Sequence, residues 1–373
     1  MTTFRVGVIG AGSIAQSHLT AYSQNPDVEL IAVADMNLER ARQVAEQHGA
    51  TRAYADPHEL LADPEIDGVS ICTWNDSHAA WAIAAVEAGK HVLVEKPIAR
   101  TLAEAEELQR VVEAHDRVVQ VGFVRRHSPN CQVLKSFIDE GDLGEIYYAK
   151  ASCLRRAGNP GGWFADKEVS GGGPLLDIGI HVLDLCWYLM GSPKVVSVSG
   201  NTYDRLGSRG NITTMPRYKA ADYDPDRNSV EDLANAVIRF ENGASLLLDC
   251  SYSLHATKDS IDVAVYGEKG GAELEPSLRI ATEMHDSVVN IEPQISSRTF
   301  EFGVGFASEI QNFVDASLGR AETIAPAWHG VEIVRILQAI HASAEAGREA
   351  LRRRADDAGL RVSSLCRGGF LTA

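Results

Sequence analysis

Three residues have types and settings that point to chemistry: Lys96, Asp177 and His181. Asp177 and His181 stand four apart in GGGPLLDIGIH, a spacing that puts both on one face of a helix behind a glycine-rich loop. A histidine beside a carboxylate accepts a proton at neutral pH when a hydroxyl is brought to it. The plainer alternative is a structural hydrogen bond on a helix face. Lys96 lies in EKP, directly after the apolar run at His91–Val94, where an open α/β sheet offers its carboxyl edge to ligands. An ammonium there can stabilise an alkoxide as its proton leaves, although surface solvation is the commoner role of lysine.

A second constellation reads as a dinucleotide cradle. Gly10-Ala11-Gly12-Ser13-Ile14-Ala15 fits G-x-G-x-x-G/A and lies where that pattern has a mechanism, after an apolar strand and at the start of a helix. Gly10 permits the tight turn. Gly12 admits a pyrophosphate to the free N–H groups of the helix start, with Ser13 and Ile14 beside it. Asp35 ends the next strand, where a carboxylate accepts hydrogen bonds from a ribose and repels a 2′-phosphate, so the sequence predicts NAD rather than NADP. Arg40 and Arg42 lie a turn or more beyond, too far along the chain to favour NADP. Thr73, Asn75 and His78 in TWNDSH fall at the same sheet edge, as does Glu95 beside Lys96, and all four are candidate cofactor contacts. Asp76 or Ser77 suits a helix cap.

The elements that must position these groups follow from periodicity. Phe4–Ile9, Val28–Ala34, Ile66–Ile71 and His91–Val94 read as strands. They alternate with helical patterns at Ser13–Gln24, Leu38–His48, Ser77–Ala88 and Leu102–His115. That alternation predicts an α/β Rossmann domain, a doubly wound parallel sheet, over residues 1–124. From Gly144 the pattern changes: Glu145–Leu154, Lys194–Gly200, Ala234–Phe240, Ala244–Ser253 and Ser260–Tyr266 read as strands, the third and fourth joined by a Glu-Asn-Gly turn. Helices are expected at Pro174–Met190, Phe306–Ser317 and Gly330–Ala346. Residues 125–346 are therefore expected to form an α+β domain on a mostly antiparallel open sheet that also mediates assembly, with 347–373 a surface extension without a catalytic part.

Composition narrows the function classes. A formal charge of −16 disfavours nucleic acid as a partner. No run approaches a membrane span, and the N-terminus lacks the features of a signal peptide. The six cysteines stand singly, which fits a reducing, cytoplasmic setting, and with no ligand spacing among His, Cys and carboxylates no metal is expected.

Taken with the order and spacing of GAGSIA, Asp35, TWNDSH, EKP, VGFVRRHSPN and SGGGPLLDIGIHVLD, the chain resembles the Gfo/Idh/MocA oxidoreductases over residues 4–346. The resemblance implies that Lys96, Asp177 and His181 form the catalytic group. It places Arg126, Asn130 and Trp163 near the substrate, and implies a homodimer or homotetramer. The usual proline of the TPN-x-x-H pattern is Trp74 here. The activity implied is NAD-dependent oxidation of a secondary hydroxyl on a sugar, sugar derivative or inositol. Two alternatives stand beside it: a catalyst with tightly held NAD working through a 3-keto sugar, in glycoside cleavage or epimerisation, and a non-catalytic NAD sensor.

Overall fold

The apolar run Phe4–Ile9 (β1) lies at the centre of a six-stranded parallel sheet. A computed structural model describes residues 3–351. Beside β1 run β2 (Val28–Ala34), β3 (Arg52–Tyr54), β4 (Gly68–Ile71), β5 (His91–Glu95) and β6 (Val119–Gly122), in the order β3-β2-β1-β4-β5-β6. Helices α1 (Ser13–Gln24), α2 (Leu38–His48), α3 (Pro57–Leu61), α4 (His78–Glu87) and α5 (Leu102–Ala114) make the connections. The doubly wound reading holds. Three short pieces, β3, α3 and β6, were not legible in the hydrophobic period. The local signals of the helices are physical: Gly49 ends α2 in the left-handed region at φ 80°, and Thr101 and Glu104 form a reciprocal capping box at the start of α5. Strand order reverses between β1 and β4, so the loops after these two strands diverge and leave a crevice at their carboxyl ends.

The chain then builds a nine-stranded sheet, ordered β14-β13-β12-β11-β7-β10-β9-β8-β15. Its strands are β7 (Ile146–Leu154), β8 (Val195–Tyr203), β9 (Leu233–Phe240), β10 (Ser245–Ser251), β11 (Ser260–Gly267), β12 (Gly270–Glu275), β13 (Arg279–Met284), β14 (Ser287–Ile291) and β15 (Ala350–Leu351). All neighbours are antiparallel except β7 and β10, which run parallel, so the sheet is mixed and mostly antiparallel. Helices α6 (Pro129–Asp139), α7 (Lys167–Ser170), α8 (Ile180–Leu189), α9 (Phe302–Ser317) and α10 (Ala327–Ala346) complete the chain. Alternation along β10 decides its faces: Leu246, Leu248 and Cys250 are buried on the side of the helices, while Leu247 between them remains exposed.

Two features join the halves. Helix α10 packs against α5 of the first domain and against β8 of the second. The segment before it closes the outer edge of β6: the Val121 N–H donates to the Ala325 carbonyl at 2.8 Å, and Thr323 Oγ1 donates to Gln120 Oε1 at 2.8 Å. The stretch after Gly347 begins docked rather than free. Glu349 Oε1 accepts from Ser197 Oγ and from Arg239 Nη1, both at 2.6 Å, and β15 pairs with β8. The rest of the expected extension, residues 352–373, lies outside the described residues. No described helix is long and apolar enough to cross a membrane.

Candidate active site

The crevice begins at the turn after β1. Gly10 has φ +92°, and a Cβ there would come within 2.5 Å of the Cys72 carbonyl oxygen, so the turn and the close approach of β1 to β4 both require glycine. At Gly12 a Cβ would meet nothing within 4 Å, because the residue faces open space at the mouth of α1. That helix has no side-chain cap and no acidic residue in its first turn. Its unpaired N–H groups are therefore left for an anion, with Ser13 exposed and Ile14 half-buried beside them. This donor set fits the pyrophosphate of a dinucleotide.

Asp35 follows β2 directly, beside the turn after β1. Its carboxylate accepts from the Ala11 and Asn37 N–H groups at 2.9 and 2.8 Å. Arg40 also donates to it, from Nε at 3.1 Å and Nη2 at 2.6 Å. Burial opposes its ionisation, yet these hydrogen bonds and the Arg40 charge hold Asp35 below the ordinary carboxylate range. Arg40 thus pairs with Asp35, a contact not expected from its position along the chain. One turn of helix folds back far enough for a long guanidinium side chain to meet the strand end.

The chemical centre lies between the carboxyl end of β5 and the start of α8. Lys96 Nζ donates to the Asp177 carbonyl at 2.8 Å and to Asp177 Oδ1 at 3.2 Å. Tyr252 Oη donates to Asp177 Oδ2 at 2.9 Å. Burial, then the neighbouring Asp177 charge, pushes the Tyr252 phenol well up, so it stays a donor. Asp177 and His181 both line one small cavity of about 110 Å³, with Arg125, Arg155 and Tyr218 in its wall. The predicted helix has a π turn at Leu175–Gly179 before α8, so Asp177 lies on a widened turn one step ahead of His181. Burial lowers the His181 pKa well below its usual value, and the positive charges of Lys96, Arg125 and Arg155 act in the same direction. The imidazole is neutral at physiological pH and able to accept a proton.

Other expected contacts are placed differently. Arg126 is fully buried, away from that cavity. Its guanidinium is bidentate to Asp184 at 2.9 and 2.6 Å, and Nη1 also donates to the Ile324 carbonyl and to His329 Nδ1. Its neighbour Arg125 reaches the cavity, with its guanidinium over the Phe300 ring at 4.3 Å and paired to Glu275 at 2.5 Å. Both lie on a short 3-10 turn, Val124–His127, where adjacent side chains diverge. Asn130 is buried at the start of α6, with Oδ1 accepting from the Cys131 N–H and from Ser128 Oγ. The two ring nitrogens of His78 lie 2.7 and 3.1 Å from the backbone carbonyls of Pro97 and Thr73; burial lowers its pKa, and a neutral ring donates to one of the two, the shorter contact being to Pro97. It ties the loop after β4 to the loop after β5. Asn75 Nδ2 donates to the Ser170 carbonyl at 2.8 Å and locks the same loop to the second domain.

Glu95 is buried, with Oε1 at 2.9 Å from His18 Nε2 and Oε2 accepting the Lys96 N–H at 3.1 Å. It positions Lys96 from below. Thr73 stays partly accessible in the crevice, and Trp163 is partly buried beside the cavity wall, stacked on Phe164 at 3.9 Å. Tyr252, Arg125 and Arg155 were not foreseen. Tyr252 continues the buried alternation Leu246, Leu248, Cys250, and that period is the signal that could have found it. Among the described residues no three His, Cys, Asp or Glu side chains are grouped to hold a metal ion.

Comparison with known proteins gives the same frame. The D-glucoside 3-dehydrogenase of Escherichia coli (strain K12) is 35% identical over 346 residues, covering 92% of this chain and 96% of that protein. The myo-inositol 2-dehydrogenase of Thermotoga maritima is 30% identical, over 71% of this chain and 73% of that one. Among solved structures, a levoglucosan dehydrogenase in complex with NADH and levoglucosan superposes with a TM-score of 0.82 at 25% identity, covering 94% of this chain and 99% of the other. Residues 4–123 match the family described as "Oxidoreductase family, NAD-binding Rossmann fold", and 135–351 match its "C-terminal alpha/beta domain". The chain therefore belongs to the Gfo/Idh/MocA oxidoreductase family and carries the NAD-binding domain of that family.

Proposed function

We propose that the protein is a dehydrogenase that oxidises a secondary ring hydroxyl of a sugar or sugar glycoside, with Lys96, Asp177 and His181 as its catalytic group. The observation that carries this reading is the joining of Lys96 to Asp177, with His181 lining the same cavity, at the carboxyl edge of the dinucleotide sheet. When bound along Gly10–Ile14 and Asp35, NAD⁺ supplies the hydride acceptor. His181, held neutral, takes the hydroxyl proton. The Lys96 ammonium stabilises the developing alkoxide, having been aimed by Asp177 and by Glu95 beneath it. Tyr252 holds the second oxygen of Asp177, which keeps the first turned toward Lys96. Arg125 and Arg155 supply donors for further hydroxyls of the ring. The names of the relatives support a sugar or cyclitol, and the first of them a glucoside. Assay of purified protein with inositols, aldoses and glucosides, reading NADH formation, tests this. Stoichiometric NADH from at least one of them is expected, and none from any would overturn it.

Assembly is part of the same proposal. The β10 face that carries Leu247 has Val237 beside it on β9 and Lys150 on β7, a mixed surface suited to pairing with a second copy. Light scattering should show a homodimer or homotetramer, and a single species at the 40.3 kDa chain mass would refute it. The described free cysteines are all buried, which supports a reducing, cytoplasmic setting.

A further inference from the structure

The cavity that holds Asp177 and His181, at about 110 Å³, is small beside the roughly 300–1,000 Å³ of pockets that enclose a drug-sized ligand. A cavity of that size cannot enclose a two-ringed molecule, so a second ring of a substrate would lie outside it. A row of aromatic rings leads out. Tyr218 in the cavity wall meets Phe164 edge-on at 6.1 Å. Phe164 stacks on Trp163 at 3.9 Å, and Trp163 stacks on Trp74 at 6.3 Å with 27° between the planes. Trp74 is 50% exposed, so a large apolar surface is held in water at the end of the row.

The row is built rigidly. Trp74 lies on the loop after β4, where its carbonyl accepts from the Ser77 N–H at 3.1 Å and from Ser77 Oγ at 3.0 Å. The adjacent Asn75 side chain is tied to Ser170. The long connection between β8 and β9, which carries Tyr218, is laced to the segment before Trp163: Ile212 N–H to the Ala157 carbonyl at 2.8 Å, Asn211 Nδ2 to the Asn159 carbonyl at 2.7 Å, and Ala220 N–H to the Pro160 carbonyl at 2.9 Å. Three separate segments thus present one continuous row of aromatic rings.

We propose that Trp74, backed by Trp163, forms a platform for the second ring of a glycoside, so that the substrates of this protein are two-ringed, with a sugar or aryl aglycone lying on the exposed indole. The apolar C–H face of a pyranose, or an aryl plane, stacks on an indole face without needing directed hydrogen bonds. The inference rests on the proposed sugar oxidation for the reacting ring, and the two are separable. Steady-state rates are compared for methyl glucoside, phenyl glucoside and a glucosyl disaccharide, in the wild type, Trp74→Ala and Trp74→Phe. The wild type is expected to favour the two-ringed compounds by about tenfold or more in kcat/KM, within the range one apolar contact provides. Trp74→Ala should remove most of that ratio through KM, and Trp74→Phe should restore it. An equal loss on methyl and two-ringed glucosides would show that Trp74 serves the cofactor loop alone, and would overturn the platform. Direct binding of phenyl glucoside, followed by quenching of tryptophan fluorescence, keeps the test independent of turnover. Unchanged affinity in Trp74→Ala overturns the platform, whereas tight binding with no oxidation of any glucoside overturns the proposed reaction instead.

Discussion

Replacing Lys96 or His181 by alanine is expected to lower kcat by about 10²–10⁴-fold, the usual loss for a positioned acid–base or charge-stabilising group. In the proposed mechanism both act on the reacting oxygen, one through a positive charge and the other through a vacant proton site. Affinity for NAD, read by calorimetry, should change little, because the proposed pyrophosphate and ribose contacts lie at Gly10–Ile14 and Asp35. The pH profile supplies a second signature. An isolated histidine gains its proton as pH falls through about 6.5. His181 is depressed well below that by burial and by Lys96, Arg125 and Arg155, so it remains a base there. Wild-type kcat/KM should therefore hold through pH 6.5 and fall only at more acidic values. Near-wild-type turnover in both alanine variants would remove the mechanism.

Arg126→Ala is expected to cost about 3–5 kcal/mol of stability, the range for removing one partner of a buried ion pair. The cost comes from what remains: Asp184 would keep its burial and lose both guanidinium bonds, and the Ile324 carbonyl and His329 would lose a donor. Chemical denaturation measures it directly. Soluble Arg126→Ala protein should show nearly wild-type KM, since the side chain is remote from the cavity. The double variant Arg126→Met with Asp184→Leu should recover much of the loss by replacing both charges with apolar groups of similar size. A large rise in KM with stability unchanged would instead return Arg126 to the substrate.

The contrast between Arg125 and Arg126 shows where sequence reasoning stops. A run of two arginines announces a functional turn, but which of them faces ligand depends on the sense of one 3-10 turn. Nothing in the residue types records that sense. Most of the first sheet was legible because β1, β2, β4 and β5 are mainly apolar and α2 and α5 carry their own cap signals, whereas β3 and β6 are too short to show a period. β12, β13 and β14 were not legible, because they are only five or six residues long, β12 opens on two glycines, β13 is interrupted by charge, and all take their pairing from neighbours already in place. Lys96, Asp177 and His181 were legible from the motifs that contain them. Tyr252, which steadies Asp177, follows directly after β10, far along the chain, and only the fold brings it to the carboxylate. Glu95, Asn75 and His78, expected as cofactor contacts, are buried, and each hydrogen-bonds backbone of the loops around the crevice.

The closure of β6 by residues 323–326 bears on how the molecule can be divided. Cutting the chain where the hydrophobic period changes would free a nucleotide domain whose last strand has lost its cover and whose α5 has lost α10. An unpaired strand edge of that kind invites association with other chains, and the stripped helix would expose a fresh apolar stripe. The two halves are thus distinct in architecture but share one late-made piece of chain. For protein engineering this means that grafting the cradle onto another substrate domain requires carrying α10 and the segment before it as part of the transplanted unit.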